Sequence, residues 1–160
     1  MGRRSHIMSD ASESIRKYLA GIPQYQIQIG VFSTETKRKT TYSVGITNAE
    51  LMFIQENGSP LHHIPARPVL KMTITYGNTL IKDVMSKGLK AYMTSGEAGL
   101  EKELNKLCLR MENYAREIIY SNDGRLAPNA PSVAKRKGGN HPLFDTGQLA
   151  RSITCKLVRV

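Results

Sequence analysis

Residues 68–124 read PVLKMTITYGNTLIKDVMSKGLKAYMTSGEAGLEKELNKLCLRMENYAREIIYSNDG, and the spacing of their apolar side chains decides the fold. Leu70, Ile74, Leu80, Ile81, Val84, Met85, Leu89 and Met93 recur at helical spacing, which gathers them on one face of a helix. Thr73, Thr75 and Gly77 are weak helix formers and soften the first turns. The run Thr94-Ser95-Gly96-Glu97 breaks this helix and starts a second, carrying Leu100, Leu104, Leu107, Cys108, Met111, Tyr114, Ile118 and Ile119. Asn122-Asp123-Gly124 closes it. At about 1.5 Å per residue each helix reaches roughly 35 Å, enough to span the whole domain. Pro68 suits the first helical position, where its missing N–H has no intrahelical partner anyway.

Upstream, residues 12–20 place Ile15, Tyr18 and Leu19 at helical spacing, with Gly21 as a stop and Pro23 beyond it. Tyr25, Ile27, Ile29 and Val31 then alternate with polar residues or glycine, the period-two mark of a half-buried strand. Tyr42, Val44 and Ile46 repeat the pattern after a polar stretch containing Lys37, Arg38 and Lys39. The expectation is an antiparallel hairpin with a long basic tip. Thr47 and Glu50 have capping-box spacing, and Asn57-Gly58 suits a left-handed helix end. Residues 59–68, SPLHHIPARP, hold three prolines and no periodicity, and read as a crossing loop.

Downstream, residues 126–153 read as an ordered loop between rigid supports: a Pro/Asn-punctuated turn, a Lys135-Arg136-Lys137 tip, a Gly138-Gly139 hinge and a helix start at Asp145-Thr146-Gly147-Gln148. Asp145 and Gln148 are spaced as a capping box. Ile153, Cys155 and Leu157 then alternate with polar neighbours as a closing strand. The fold class is therefore α+β. A small antiparallel sheet, made of the basic-tipped hairpin and the C-terminal strand, packs against two long helices and several shorter ones.

One hundred and sixty residues suit a single domain. Met1 to Ile7, MGRRSHI, reads as a leader added for expression ahead of a start at Met8, leaving residues 8–160 as that domain. The formal charge of +10 falls to +8 without Arg3 and Arg4. Such a balance favours acidic partners, whether nucleic acid, membrane headgroups or protein. No apolar run approaches the roughly 18 residues of a membrane span and no signal-peptide pattern follows Met8, so a soluble intracellular protein with no membrane partner is expected. Trp is absent and Phe occurs three times, so the core must be aliphatic, with Met and Tyr filling gaps.

The residues do not suggest an enzyme, a metal or a cofactor. His62 and His63 sit on a proline-rich loop with no regularly spaced acidic partner, and His141 stands alone. Asp145 beside His141 is explained as a cap. Gly138-Gly139 lacks the strand and spacing of a phosphate loop. Cys108 and Cys155 read as two buried thiols. The two Lys-Arg-Lys clusters are the electrostatic feature; without interleaved aromatics, any nucleic-acid contact would be non-specific.

Several short motifs occur in a fixed order: Glu56-Asn57-Gly58; Ile64-Pro65-Ala66-Arg67-Pro68-Val69-Leu70; residues 126–131; Lys135-Arg136-Lys137-Gly138; and Pro142-Leu143-Phe144-Asp145-Thr146-Gly147-Gln148-Leu149 with Ser152-Ile153. As a set, over residues 53–153, this succession resembles the tail-completion or neck proteins of long-tailed bacteriophages, also called minor tail or virion-morphogenesis proteins. The resemblance implies a non-enzymatic virion protein of a phage or prophage, made in the host bacterial cytoplasm. It would form a ring, commonly six-fold, at the head-proximal end of the tail for tail completion and head–tail joining. Implied partners are other copies of the chain, tail-tube proteins and head-connector proteins, with non-specific contact to phage DNA. Carried over to this sequence, the contact candidates are Pro65, Ala66, Arg67 and Pro68, then Asp145, Thr146, Gly147, Gln148 and Leu149. To these the residues themselves add Lys135, Arg136 and Lys137, and the hairpin tip Lys37, Arg38 and Lys39. The alternative is a small basic DNA-binding or packaging accessory protein, motivated by the charge and the two basic clusters.

Overall fold

The computed structural model describes residues 12–13, 15–32 and 45–160. The expected Lys37-Arg38-Lys39 tip and the expected strand positions Tyr42 and Val44 lie outside the described residues, as do residues 1–7. The molecule is α+β and mostly helical. After helical residues 15–20 come strand β1 (Tyr25–Gly30), helix α1 (Asn48–Asn57), a short 3-10 turn (Pro60–His62), the long helix α2 (Val69–Ser121), helices α3 (Pro131–Lys137) and α4 (Gln148–Ser152), and strand β2 (Thr154–Arg159).

The expected break divides α2 into two arms. Gly96 leaves helical geometry at φ 64, ψ −152, a region that glycine occupies without the clash a Cβ would bring. The arms then run antiparallel, each about 35–40 Å long. Their closeness is visible where Tyr76 stacks on Tyr114, ring centroids 4.0 Å apart. Small residues permit it: a Cβ on Gly77 would lie 2.9 Å from Met111 Sδ, and one on Gly88 2.9 Å from Leu100 Cδ1.

β1 and β2 pair antiparallel, from Tyr25 opposite Arg159 to Gly30 opposite Thr154. This register puts Ile27 beside Leu157 and Ile29 beside Cys155, so one face of the sheet covers the arms. Two apolar clusters result. One, with Val84, Leu100, Leu104, Leu107 and Met111, runs along the arms beneath the sheet. The other joins Met52 of α1, Val69 and Ile118 of α2, and Leu149 of α4 at the base of the arms. Cys108 is buried and Cys155 half-buried, and both are free thiols in contact with each other. The hydrogen bond they share, then burial, pushes the Cys155 thiol upward.

Capping explains where α1 begins. Thr47 Oγ1 accepts from the Glu50 N–H (3.1 Å) while Glu50 Oε2 accepts from the Thr47 N–H (2.7 Å), the expected box. At the other end Gly58 is not in the left-handed helical region but at φ 74, ψ 179. The tight return forces this, since a Cβ there would lie 2.8 Å from both Ala66 N and Ile64 O. Pro68 precedes the first residue of α2 rather than being it. The free N–H groups there are taken by Glu56, whose carboxylate accepts from Leu70 N (2.9 Å) and Lys71 N (2.8 Å).

Residues 126–153 hold the expected short helix as α4 but depart from the expected loop where they form α3. Pro131 opens α3, Gly138 ends it in the left-handed conformation, and Lys135, Arg136 and Lys137 form its last turn rather than a loop tip. There the positive charges oppose the negative end of the helix dipole. Asp145 does not cap α4. Gly147, at φ 74, occupies the N-cap position and no side chain hydrogen-bonds there.

Candidate partner-contact groove

The crossing loop is closed on itself by a bridge in which Ser59 N donates to Ile64 O (2.8 Å) and Ile64 N to Ser59 O (2.9 Å). Its far end is fixed by Arg67. The backbone N–H of Arg67 donates to Gln55 O (2.6 Å). Its guanidinium donates to Ala127 O through Nε (2.7 Å), Gln55 Oε1 through Nη1 (2.6 Å) and Pro128 O through Nη2 (2.7 Å). Arg67 is 5% exposed and makes no ion pair with any carboxylate of the described residues. Burial accordingly pulls its guanidinium below the ordinary arginine value.

On the facing side, α2 supplies the anchor. His141 Nε2 donates to Ile119 O (2.7 Å), a carbonyl in the last turn of α2, and its ring stacks on Phe144. Lys137 Nζ donates to His141 O (2.9 Å), and Asn129 N to Asn140 Oδ1 (2.8 Å). Arg116 donates to Ile153 O (3.0 Å) and pairs with Glu112, whose second oxygen accepts from Cys155 N (3.0 Å). The turn around residue 147 is held by Arg151 Nη2, which donates to Thr146 O (2.8 Å).

Together these anchors enclose a groove of about 370 Å³ lined by Leu51, Gln55, Arg67, Asn129, Val133, Arg136, Lys137, Leu143 and Asp145. Four of the expected contact residues, Arg67, Arg136, Lys137 and Asp145, thus meet although they come from segments some seventy positions apart in the chain. The others do not line it. Pro65, Ala66, Lys135 and Thr146 are exposed elsewhere on these segments, and Pro68 and Gln148 are half-buried. Leu149 belongs to the core at 2% exposure, and Gly147 is buried. Arg67, one of the contact candidates, acts within the described residues as an internal clamp, because its hydrogen bonds go to the protein's own backbone and Gln55. His141, read as partnerless, has one in Ile119 O.

Gln55, Asn129 and Leu143 are groove residues that sequence reasoning did not single out as site positions. The available signals were that Asn129 lies in the 126–131 motif, Leu143 in the Pro142-to-Leu149 motif, and Gln55 beside Glu56-Asn57-Gly58. Asn129 Nδ2 is shut off from water and has no acceptor among the described residues. His62 and His63 are exposed on the far side of the bridge, and no cluster of three His, Cys, Asp or Glu among the described residues could hold a metal ion. No family model, curated protein or solved structure matches this chain.

Proposed function

We propose that this chain is a structural virion protein of a long-tailed phage or prophage, acting at the head-proximal end of the tail in tail completion and head–tail joining. The motif succession that resembles such proteins carries the reading. The geometry supports it in one respect: the Ile64-to-Leu70 motif and the motifs between residues 126 and 149 converge on one groove through Arg67. A motif set whose members meet in space has a physical reason to occur together.

Self-association is part of the proposal. The first arm of α2 presents Ile74, Ile81 and Met85, each 45–49% exposed, along an apolar groove of about 460 Å³ beside β1. Exposed apolar patches suit contacts with further copies or with tail and connector proteins. Many weak contacts repeated around a ring add up to a firm joint. The test is deletion of the gene from the phage that encodes it. Unjoined heads and tails, or tails of abnormal length, are expected; a normal yield of infectious particles would refute the proposal.

A second reading, a basic DNA-binding or packaging accessory protein, is favoured by a different face. Lys87, Lys90, Lys106 and Arg110 line a cleft between the arms, where Lys87 pairs with Asp83 and Lys106 with Glu103. That reading requires duplex binding that weakens steeply with salt. An absence of binding at low ionic strength would remove it.

A further inference from the structure

We propose that Cys108 and Cys155 are an oxidation site, closed by a small hydroperoxide to a disulfide that ties β2 to the second arm of α2. They are the two cysteines of the chain, far apart in sequence, and the fold brings them together as free thiols. Neighbouring contacts aim them at each other. Glu112 lies one turn beyond Cys108 and so on the same face of α2. One of its carboxylate oxygens accepts from Cys155 N (3.0 Å) and the other from Arg116 (2.7 Å). Arg116 also donates to Ile153 O (3.0 Å), so the backbone on both sides of Thr154 is fastened to the helix face that carries Cys108. In the sheet Cys155 stands opposite Ile29, which packs against the arms, and this pairing turns both side chains toward α2. The Cys155 S–H then donates to the Cys108 sulfur. Two thiols that touch across facing elements meet the geometric condition for a disulfide.

Cys108 is the first nucleophile. The hydrogen bond from Cys155 favours its thiolate and holds the Cys108 thiol below its ordinary value, against burial and the Glu112 charge. With hydrogen peroxide as the oxidant, the Cys108 sulfur attacks one oxygen and the O–O bond breaks. The departing hydroxide takes up the proton released by Cys108, which leaves water and a sulfenic acid on Cys108. The Cys155 sulfur then attacks the Cys108 sulfur, the S–O bond breaks, and hydroxide leaves with the Cys155 proton as a second water. Both thiols are oxidised and one peroxide is reduced. Cys108 is buried and Cys155 half-buried, so the pair admits an oxidant near the size of water and reacts slowly. A reducing cytosol keeps the pair open, and an oxidising medium closes it. The loop closed from residue 108 to residue 155 holds α3 and α4, so the bond fixes that whole segment to the helix it folds against. The site is independent of the joint reading.

The test treats the full chain, reduced and then freed of reductant, with excess hydrogen peroxide, and follows both cysteines by peptide mapping. The expected product is a monomer in which the Cys108 and Cys155 peptides are linked with the loss of two hydrogen atoms. No thiol should then titrate in denaturant, and dithiothreitol should restore both. Met93, 72% exposed, gauges the dose. Two thiols still free once Met93 is fully converted to its sulfoxide would overturn the inference. So would disulfide-linked dimers as the main product, or oxygen added at one sulfur while the other stays a thiol. Cys155→Ser removes the second sulfur and should leave Cys108 as sulfinic or sulfonic acid in place of the linked peptides. A Cys108 thiol untouched in that variant would overturn its role as the first nucleophile. If Cys155→Ser does not fold, the parent chain alone decides.

Discussion

Replacing Arg67 by Met should destabilise the domain by about 3 kcal/mol. The side chain makes three short hydrogen bonds, to Ala127 O, Pro128 O and Gln55 Oε1. Bonds from a charged donor contribute roughly 1.5–3 kcal/mol each, so the gross loss is about 4.5–9 kcal/mol. Two terms offset it. Met removes a buried charge that no carboxylate of the described residues balances, which returns a few kcal/mol. Pro128 is exposed, so its carbonyl can turn to water, while Ala127 and Gln55 are half-buried and their oxygens cannot do so as freely. The net of about 3 kcal/mol is a large share of the roughly 5–15 kcal/mol that holds a domain together. Urea denaturation would show it as a midpoint lowered by about 1.5 M at a slope near 2 kcal/mol per molar. Hydrogen exchange should also accelerate at Asn129, whose amide bonds Asn140. Arg67→Lys keeps the charge without the planar fork and should fall between the two. If Arg67→Met stayed within about 0.5 kcal/mol of the parent, or if Arg67→Lys matched the parent, the clamp would not be what joins the two motif segments.

Three further outcomes follow from the same geometry. Gly96→Ala should cost about 1–3 kcal/mol, because φ 64 with ψ −152 strains any residue with a Cβ, and calorimetry would detect it as a lowered Tm. Glu56→Ala should cost about 1–2 kcal/mol and speed exchange of the Leu70 and Lys71 amides, whose acceptor is lost; unchanged exchange there would refute the capping role. Asp123 is held down to about 2, first by the Arg125 side chain and then by the Arg125 backbone N–H. Its folded value lies below the ordinary one, so its contribution is complete above about pH 4 and disappears as the pH falls towards 2. A carboxyl titration followed by NMR should have its midpoint near 2, and a midpoint near 4 would contradict the Asp123–Arg125 contact.

The long helices were legible because their apolar spacing persists over many turns and Gly96 interrupts it in a run of breakers. The Thr47–Glu50 box was legible for a similar reason: both halves are local. What escaped was non-local or too short to carry a period. α3 spans seven residues with Val133 as its one large apolar side chain, so its basic end read as a loop tip. Asp145 and Gln148 have the spacing of a capping box, but spacing does not reveal that Gly147 turns left-handed and takes the cap position itself. The clamp of Arg67 joins residues sixty positions apart, and nothing in the local pattern marks an arginine as internal. The same holds for Glu56, whose motif position was visible while its acceptor role at the start of α2 was not. The pairing of β1 with β2 agrees with the expected closing strand, while the hairpin partner of β1 falls largely outside the described residues.

The central claim, a place at the joint between head and tail, is tested most directly by electron microscopy of particles carrying a gold-labelled antibody against this chain. The account predicts label at the head–tail junction of intact virions and at the head-proximal end of free tails. Label spread over the capsid or along the tail shaft, or none on purified particles that otherwise infect normally, would contradict it.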